Sequence, residues 1–273
     1  MTAGGRLLSA LVAMVIAVGG FVTLGAPTAA AGPTGTLQYV ALGDSYAAGV
    51  GAPPYSGSCL QSSNGYPALL GPKGRIDLQD NATCAGAKTL DVRDYVVGPQ
   101  LALNPDTRLV TLTVGANDLG FAGLAETCTT PGMERGCLAA IKAIGPLQFQ
   151  ELGSHLTDLY GDVAEAAPKA LIVVTGYPHL VESTAPFDPV LIAALNSAWD
   201  ALNRTIREAV LAANPTGDNI VYVDVTDAFA GHGIGSSDDP FIIGPTPGVS
   251  RVEDFHPNAA GYRAYAKAIS AAM

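Results

Sequence analysis

Short runs of apolar and β-branched residues alternate with longer amphipathic stretches, and this alternation restricts the possible fold more than any other feature of the chain. Four of these runs are clear, namely Tyr39–Leu42, Arg108–Val114, Ala170–Thr175 and Asn219–Asp224. A fifth run, Ile76–Leu78, is weaker. Because the clear runs are continuously apolar rather than alternating, they predict strands buried on both faces of a mostly parallel sheet.

The stretches between these strands have the periodicity of helices. Apolar residues recur at steps of three or four over Phe149–Ala167 and over Pro189–Ala213. A last helix is predicted over Pro257–Met273, with its proline in the first turn. Strands alternating with helices predict a doubly wound, flavodoxin-like three-layer α/β sandwich. No internal repeat and no long linker divides it.

The first residues have the features of a leader rather than of a folded domain. Arg6 precedes the apolar run Leu7–Val18, and an alanine-rich segment follows. This order predicts a secretory signal peptide over residues 1–31, cleaved after Ala31. A retained membrane anchor is the alternative, disfavoured by the glycines that interrupt the apolar region. Residues 32–273 are then a single secreted, extracellular domain.

The chain is strongly acidic. Its formal net charge is −10, from 14 basic and 24 acidic side chains. A protein of this charge is repelled by nucleic acid and by anionic lipid headgroups. We therefore expect no nucleic-acid partner, and no stable membrane insertion once the signal is removed.

Four cysteines, an even number, lie in the part of the chain that follows the leader. In an exported protein this favours disulfides, and order and proximity suggest the pairs Cys59–Cys84 and Cys128–Cys137. A metal site would need close spacings such as C-x-x-C, and the chain has none. Both pairs begin in segments expected to be long loops, 53–65 and 128–146.

Polar residues follow two of the predicted strands and precede the last helix. Gly43-Asp44-Ser45 follows the first strand, Asn117 lies just beyond the Arg108–Val114 strand, and His256 precedes the last helix. Because the carboxyl ends of parallel strands meet at one edge of a sheet, Ser45 and Asn117 are expected to face the same crevice.

These residue types can carry out acyl transfer. A serine hydroxyl needs an adjacent base, and histidine suits that task because its ordinary pKa is near 6.5. The Asn117 amide and backbone N–H groups of Ser45 and of a glycine can stabilise an oxyanion. Each residue alone also has a structural interpretation, since Ser45 can end a strand, Asn117 can cap a helix and His256 can pack beside a proline. Their order and spacing together favour the chemical interpretation.

At these residues the sequence resembles the SGNH hydrolases, the GDSL-type esterases and lipases. The resemblance is carried by GDSY at Ser45, GAND at Asn117 and FHPNAAGYRAYA at His256, in the family's order. A fourth block is best matched by Gly86 in TCAGAKT. The resemblance implies that Ser45 and His256 are catalytic, that Ser45, Gly86 and Asn117 form an oxyanion hole, and that no metal or other cofactor is needed.

One position departs from the family pattern. The family usually has an aspartate three residues before the histidine, to orient its ring, and here that position is Glu253. Glu253 can replace the aspartate, Asp254 can reach the ring by another path, or an upstream backbone carbonyl can accept the ring N–H, as in relatives that work as a Ser–His dyad. Position narrowly favours Glu253.

We therefore predict a secreted, monomeric carboxylic ester hydrolase that acts on small-molecule or lipid esters. The similarity to secreted lipases with disulfides around the site favours an esterase or lipase. A polysaccharide O-deacetylase of the same fold and a non-catalytic secreted binding protein are the alternatives. No G-x-S-x-G elbow is present, which disfavours an ordinary α/β-hydrolase.

Overall fold

The structure is a computed structural model that describes Met1 and residues 35–71, 75–99, 103–217, 219–237, 239–246 and 248–273. Residues Gly35–Met273 form one compact unit. The predicted signal peptide falls, apart from Met1, outside the described residues and stays a prediction.

The described residues form a central sheet of five strands, which coincide with the five apolar runs predicted to be strands. Its strands are β1 (Leu37–Gly43), β4 (Ile76–Thr83), β5 (Leu109–Thr113), β6 (Leu171–Thr175) and β7 (Ile220–Val223), and a separate hairpin is made by β2 (Tyr55–Ser56) and β3 (Gln61–Ser62). The five strands are arranged in the order β4-β1-β5-β6-β7, and every neighbouring pair is parallel. The predicted doubly wound α/β fold is confirmed.

Helices cover this sheet in two groups. They are α1 (Ser45–Ala48), α2 (Tyr66–Leu70), α3 (Thr89–Val97), α4 (Phe121–Thr129), α5 (Glu134–Ala143), α6 (Pro146–Ala166), α7 (Pro189–Ala213), α8 (Thr226–Phe229) and α9 (Ala259–Ala271). α6 packs against both α3 and α7, whereas α9 packs against α2 and α8. This division into two helical layers is what a sheet wound in both directions from β1 requires.

Two expectations about the elements need correction. The segment 128–146, expected to be a loop, contains α5, which packs against α4. The last helix begins at Ala259, because the Asn258 side chain caps it by accepting hydrogen bonds from the N–H groups of Ala260 and Gly261. Pro257 therefore precedes the cap rather than lying in the first turn.

The carboxyl ends of β1 and β5 are held unusually close together. The Asp44 N–H donates to the Thr113 carbonyl oxygen at 2.9 Å. Gly43 has φ +133°, and a Cβ placed there would overlap the same carbonyl oxygen. Only glycine, which has no Cβ and readily adopts a positive φ, allows the two strands to come this close at position 43. The strand order reverses direction at β1, and open α/β sheets form their binding crevice at such a point.

Both predicted disulfides are present in the structure. Cys59 is bonded to Cys84, and Cys128 to Cys137. The second bond joins α4 to α5, and the first ties the hairpin segment to the residues that follow β4. Among the residues described, no helix is both long and apolar enough to cross a membrane.

Candidate active site

Ser45 lies at the start of a short helix directly beyond β1. Asp44 caps this helix, because its Oδ1 accepts a hydrogen bond from the Tyr46 N–H at 2.9 Å. Ser45 is the first helical residue and only 9 % exposed. The turn forced by Gly43 and Asp44 thus holds the serine hydroxyl at the carboxyl edge of the sheet.

His256 meets Ser45 from the other end of the chain. Its Nε2 lies 2.7 Å from the Ser45 Oγ, and its Nδ1 lies 2.9 Å from the backbone carbonyl oxygen of Asp254. A carbonyl oxygen only accepts, so the neutral ring carries its proton on Nδ1. Nε2 then has a free lone pair, which can accept the proton of the serine hydroxyl.

The two carboxylates named as candidate orienters have other partners. Glu253 Oε1 accepts a hydrogen bond from the Tyr55 hydroxyl at 3.3 Å. The Asp254 carboxylate accepts hydrogen bonds from the Arg251 guanidinium at 2.8 and 3.1 Å and from the Arg251 N–H at 3.1 Å. The hydrogen bond from the ring of His256 goes to the main chain, which is the third of the sequence alternatives.

Contacts with the Ser45 helix hold the His256 loop in place. The Tyr46 hydroxyl donates to the Phe255 carbonyl oxygen at 2.6 Å, and its ring centroid lies 5.2 Å from that of His256. Phe255 has φ +66°, a conformation that L-residues adopt only when their surroundings impose it. Gly51 packs so closely on the Pro257 carbonyl that a Cβ there would overlap it. Sequence reasoning did not identify Tyr46 or Gly51, although Tyr46 follows Ser45 in GDSY.

Burial lowers the pKa of His256 from 6.5 to about 4, because the enclosed site disfavours the charged imidazolium. The hydrogen bond to Asp254 and the nearby charges of Glu253 and Asp254 oppose this change only in part. The ring is therefore neutral at neutral pH, which is the state that a general base requires.

Asn117 and Gly86 lie on segments tied to each other and to the end of β1. The Asn117 Nδ2 donates to the Ala87 carbonyl oxygen at 2.9 Å, which uses one of its two hydrogens. The Cys84 N–H donates to the Gly43 carbonyl oxygen at 2.9 Å. Gly86 has φ +84°. Within the described part of the chain, neither the Gly86 N–H nor the Ser45 N–H donates a hydrogen bond to any group.

A cavity of about 440 Å³ is lined mostly by apolar and small residues, together with the polar side chains of Asp118, Thr127 and Gln148, of which Asp118 directly follows Asn117 in the chain. Leu119, Gly123 and Leu124 form the α4 side of this cavity, and Ala140 and Ile144 face them. The disulfide Cys128–Cys137 joins the two helices that enclose it. No group of three or more side chains able to hold a metal ion occurs among the residues that the structure describes.

Comparison with known proteins agrees with this fold. The sequence profile of the GDSL-like Lipase/Acylhydrolase family matches residues 41–264. Lipase 1 from Streptomyces coelicolor is 34% identical over 262 residues, covering 94% of each chain. The crystal structure of an extracellular lipase from Streptomyces rimosus has a TM-score of 0.74 at 34% identity and covers 87% of this chain and 100% of that one.

A phospholipase A1 from Streptomyces albidoflavus is equally similar in structure. Its TM-score is 0.75 at 32% identity, with 86% of this chain and 99% of that one covered. The chain therefore belongs to the GDSL-like Lipase/Acylhydrolase family and is an ester hydrolase. The family resemblance drawn from the GDSY, GAND and FHPN motifs is confirmed.

Proposed function

We propose that the protein is a secreted esterase or lipase that hydrolyses carboxylic esters through a Ser45–His256 dyad. The observation that carries this proposal is the pair of hydrogen bonds on the His256 ring, 2.7 Å to the Ser45 Oγ and 2.9 Å to the Asp254 carbonyl oxygen. The predicted leader and the two disulfides support export, and the similar Streptomyces rimosus lipase is described as extracellular.

The reaction takes place in two half-reactions at one carbonyl carbon. Nε2 of His256 takes the Ser45 proton as Oγ attacks the carbonyl carbon, and the Asp254 carbonyl oxygen stabilises the imidazolium that forms. When the tetrahedral intermediate collapses, Nε2 gives that proton to the departing alcohol and leaves an acyl-serine. Water then loses a proton to Nε2 and attacks the acyl carbon, and Ser45 regains a proton as the acid leaves.

Three donors are available for the oxyanion. They are the N–H groups of Ser45 and Gly86, which have no other acceptor among the described residues, and the second hydrogen of the Asn117 Nδ2. One such donor is worth about 2.7–4 kcal/mol of transition-state stabilisation. The hydrogen bonds from Cys84 to Gly43 and from Asn117 to Ala87 support a preformed arrangement, because they connect the three segments before substrate arrives.

Because the Asp254 main-chain carbonyl oxygen orients the His256 ring, the carboxylates of Glu253 and Asp254 are not needed for that role. We expect Glu253→Gln and Asp254→Asn each to keep kcat within about threefold of wild type, whereas loss of an aspartate that orients the base costs about 10⁴-fold. Both substitutions keep the size of the side chain and its capacity to accept a hydrogen bond. The measurement is kcat and KM for p-nitrophenyl butyrate. A fall of about 10³-fold or more in either variant would assign the orienting role to that side chain.

The mostly apolar cavity lined by Leu119, Leu124 and Ile144 supports an acyl chain as the part of the substrate that is recognised. Each methylene moved from water into an apolar site contributes about 0.8 kcal/mol, or about fourfold in kcat/KM. Because butyrate has two more methylenes than acetate, we expect kcat/KM to rise by about 16-fold from p-nitrophenyl acetate to butyrate and to stay high for palmitate. A flat response would instead favour a polysaccharide O-deacetylase, and no hydrolysis at all would favour a binding protein.

A glycine in the wall of the cavity allows a direct test of this assignment. Gly123 has no atom within 4 Å of an added Cβ, so Gly123→Leu fills the cavity without straining α4. We expect the palmitate-to-butyrate ratio of kcat/KM to fall by about tenfold or more in this variant. Gly161→Leu is the matched control, because Gly161 is also helical and open but lies outside the cavity. An unchanged ratio in Gly123→Leu would place the acyl chain elsewhere.

A further inference from the structure

A buried carboxyl group lies directly before the nucleophile and takes no part in the proposed reaction. Asp44 is 1 % exposed, and burial raises the pKa of its carboxyl group to about 7. Its Oδ1 accepts from the Tyr46 N–H, which leaves Oδ2 in need of a second partner inside the protein.

Tyr177 supplies that partner and reaches a second segment at the same time. Its hydroxyl donates to Asp44 Oδ2 at 2.6 Å and accepts a hydrogen bond from the Ala116 N–H at 3.3 Å. Asp44 is bonded in sequence to Ser45, and Ala116 to Asn117. One hydroxyl group therefore bridges the two segments that carry Ser45 and Asn117.

Tyr177 is itself held firmly. The Asn203 Oδ1 accepts from the Tyr177 N–H, and the Asn203 Nδ2 donates to the Tyr177 carbonyl oxygen, both at 2.8 Å. Asn203 lies on α7 and is 3 % exposed. The ring of Tyr177 meets that of Tyr46 edge to face at 5.1 Å. Because both the main chain and the ring of Tyr177 are fixed, its hydroxyl can set the spacing of the two groups that it contacts.

We propose that Tyr177 is a positioning residue, whose hydroxyl fixes the Asn117 amide relative to the Ser45 N–H at the spacing that the oxyanion requires. This inference rests on the proposed Ser45–His256 function. Without the hydroxyl, the Ala116 N–H and Asp44 Oδ2 both lose a buried partner, and the two segments relax independently. Since the oxyanion donors act mainly in the transition state, the loss falls on kcat rather than on KM.

The first test compares two tyrosine variants that lose the same group. Tyr177→Phe is expected to lower kcat for p-nitrophenyl butyrate by about tenfold or more and to leave KM within about twofold. Tyr39→Phe is the matched control, because the Tyr39 hydroxyl is equally buried and bonds to Thr111 Oγ1 at 2.6 Å in the same sheet. Its kcat is expected to stay at the wild-type value. An equal fall of kcat in both variants would reduce Tyr177 to a structural role.

The second test asks whether Tyr177 acts through Asn117. In an Asn117→Ala background the amide is gone, so adding Tyr177→Phe is expected to change kcat by less than about twofold. The same tenfold loss in both backgrounds would overturn the proposal and leave the ester hydrolase function intact. Retention of hydrolysis by Ser45→Ala would instead remove the function on which the proposal rests, whatever the result for Tyr177.

Discussion

Ser45→Ala is expected to lower kcat for p-nitrophenyl butyrate by about 10⁵-fold, because no oxygen remains to form the acyl-enzyme. Residual turnover above the rate in water comes from the oxyanion donors and from substrate binding alone. Alanine suits the first turn of α1, so the folded structure is preserved. A thermal unfolding curve close to that of wild type would show that chemistry and not folding was lost.

Covalent labelling provides an independent readout for the same residue. A fluorophosphonate probe is expected to add once to the wild type, at Ser45, and not at all to Ser45→Ala. Ser270→Ala is a suitable control, because among the described residues the Ser270 Oγ bonds to nothing but the Ala266 carbonyl oxygen of its own helix, and both labelling and kcat should be unchanged. Full hydrolysis by Ser45→Ala would mean that Ser45 is only the first residue of α1 and that the proposed mechanism is wrong.

His256→Gln is expected to reduce kcat by about 10⁴-fold or more, because an amide cannot take the serine proton. Glutamine can still donate a hydrogen bond, so the variant removes basicity while preserving polarity. His179→Gln is the control, since that exposed ring pairs with Asp200 at 2.7 Å and has no contact with Ser45. Activity of His256→Gln near the wild-type level would exclude the ring as the base.

The pH profile tests the state of the same ring. Only neutral His256 can accept a proton, and burial lowers its pKa to about 4. Activity that depends on this ring is therefore retained down to about pH 5 and lost as the pH falls through about 4. A midpoint for this acid limb of kcat/KM near the ordinary value of about 6.5 would mean that the ring is more hydrated than its packing implies.

Much of the fold could be predicted because the central strands are buried on both faces. β1, β5 and β6 lie inside the sheet and are mostly buried, and β7, although it is an edge strand, also coincides with a continuous apolar run. The long helices α6 and α7 each bury one regular stripe of apolar residues. β4 was predicted only in part, because it alternates partly buried with exposed residues over its first half instead of forming a continuous apolar run. α5 was missed because it buries only Cys137 and follows a Pro-Gly turn.

The candidate site was predictable where side chains carry the chemistry, and not where the main chain or tertiary contacts do. Ser45, Asn117 and His256 stand in recognisable motifs, and the structure joins Ser45 to His256 directly. The hydrogen bond to the Asp254 carbonyl oxygen leaves no trace in residue type, so position pointed to Glu253. Tyr177 lies 133 residues from Asp44, and only the folded chain brings them together.

The separation of Ser45 and His256 by 211 residues also has a consequence for how the protein is made. Synthesis proceeds from the amino terminus and early segments can begin to fold first, yet the serine gains its base only when the final loop and α9 have joined the sheet. A chain whose synthesis has not yet passed that loop, or one cut anywhere before it, lacks the pair altogether. Under the proposed mechanism, hydrolytic activity therefore appears only after the segment that carries His256 and α9 has been made and has folded onto the sheet.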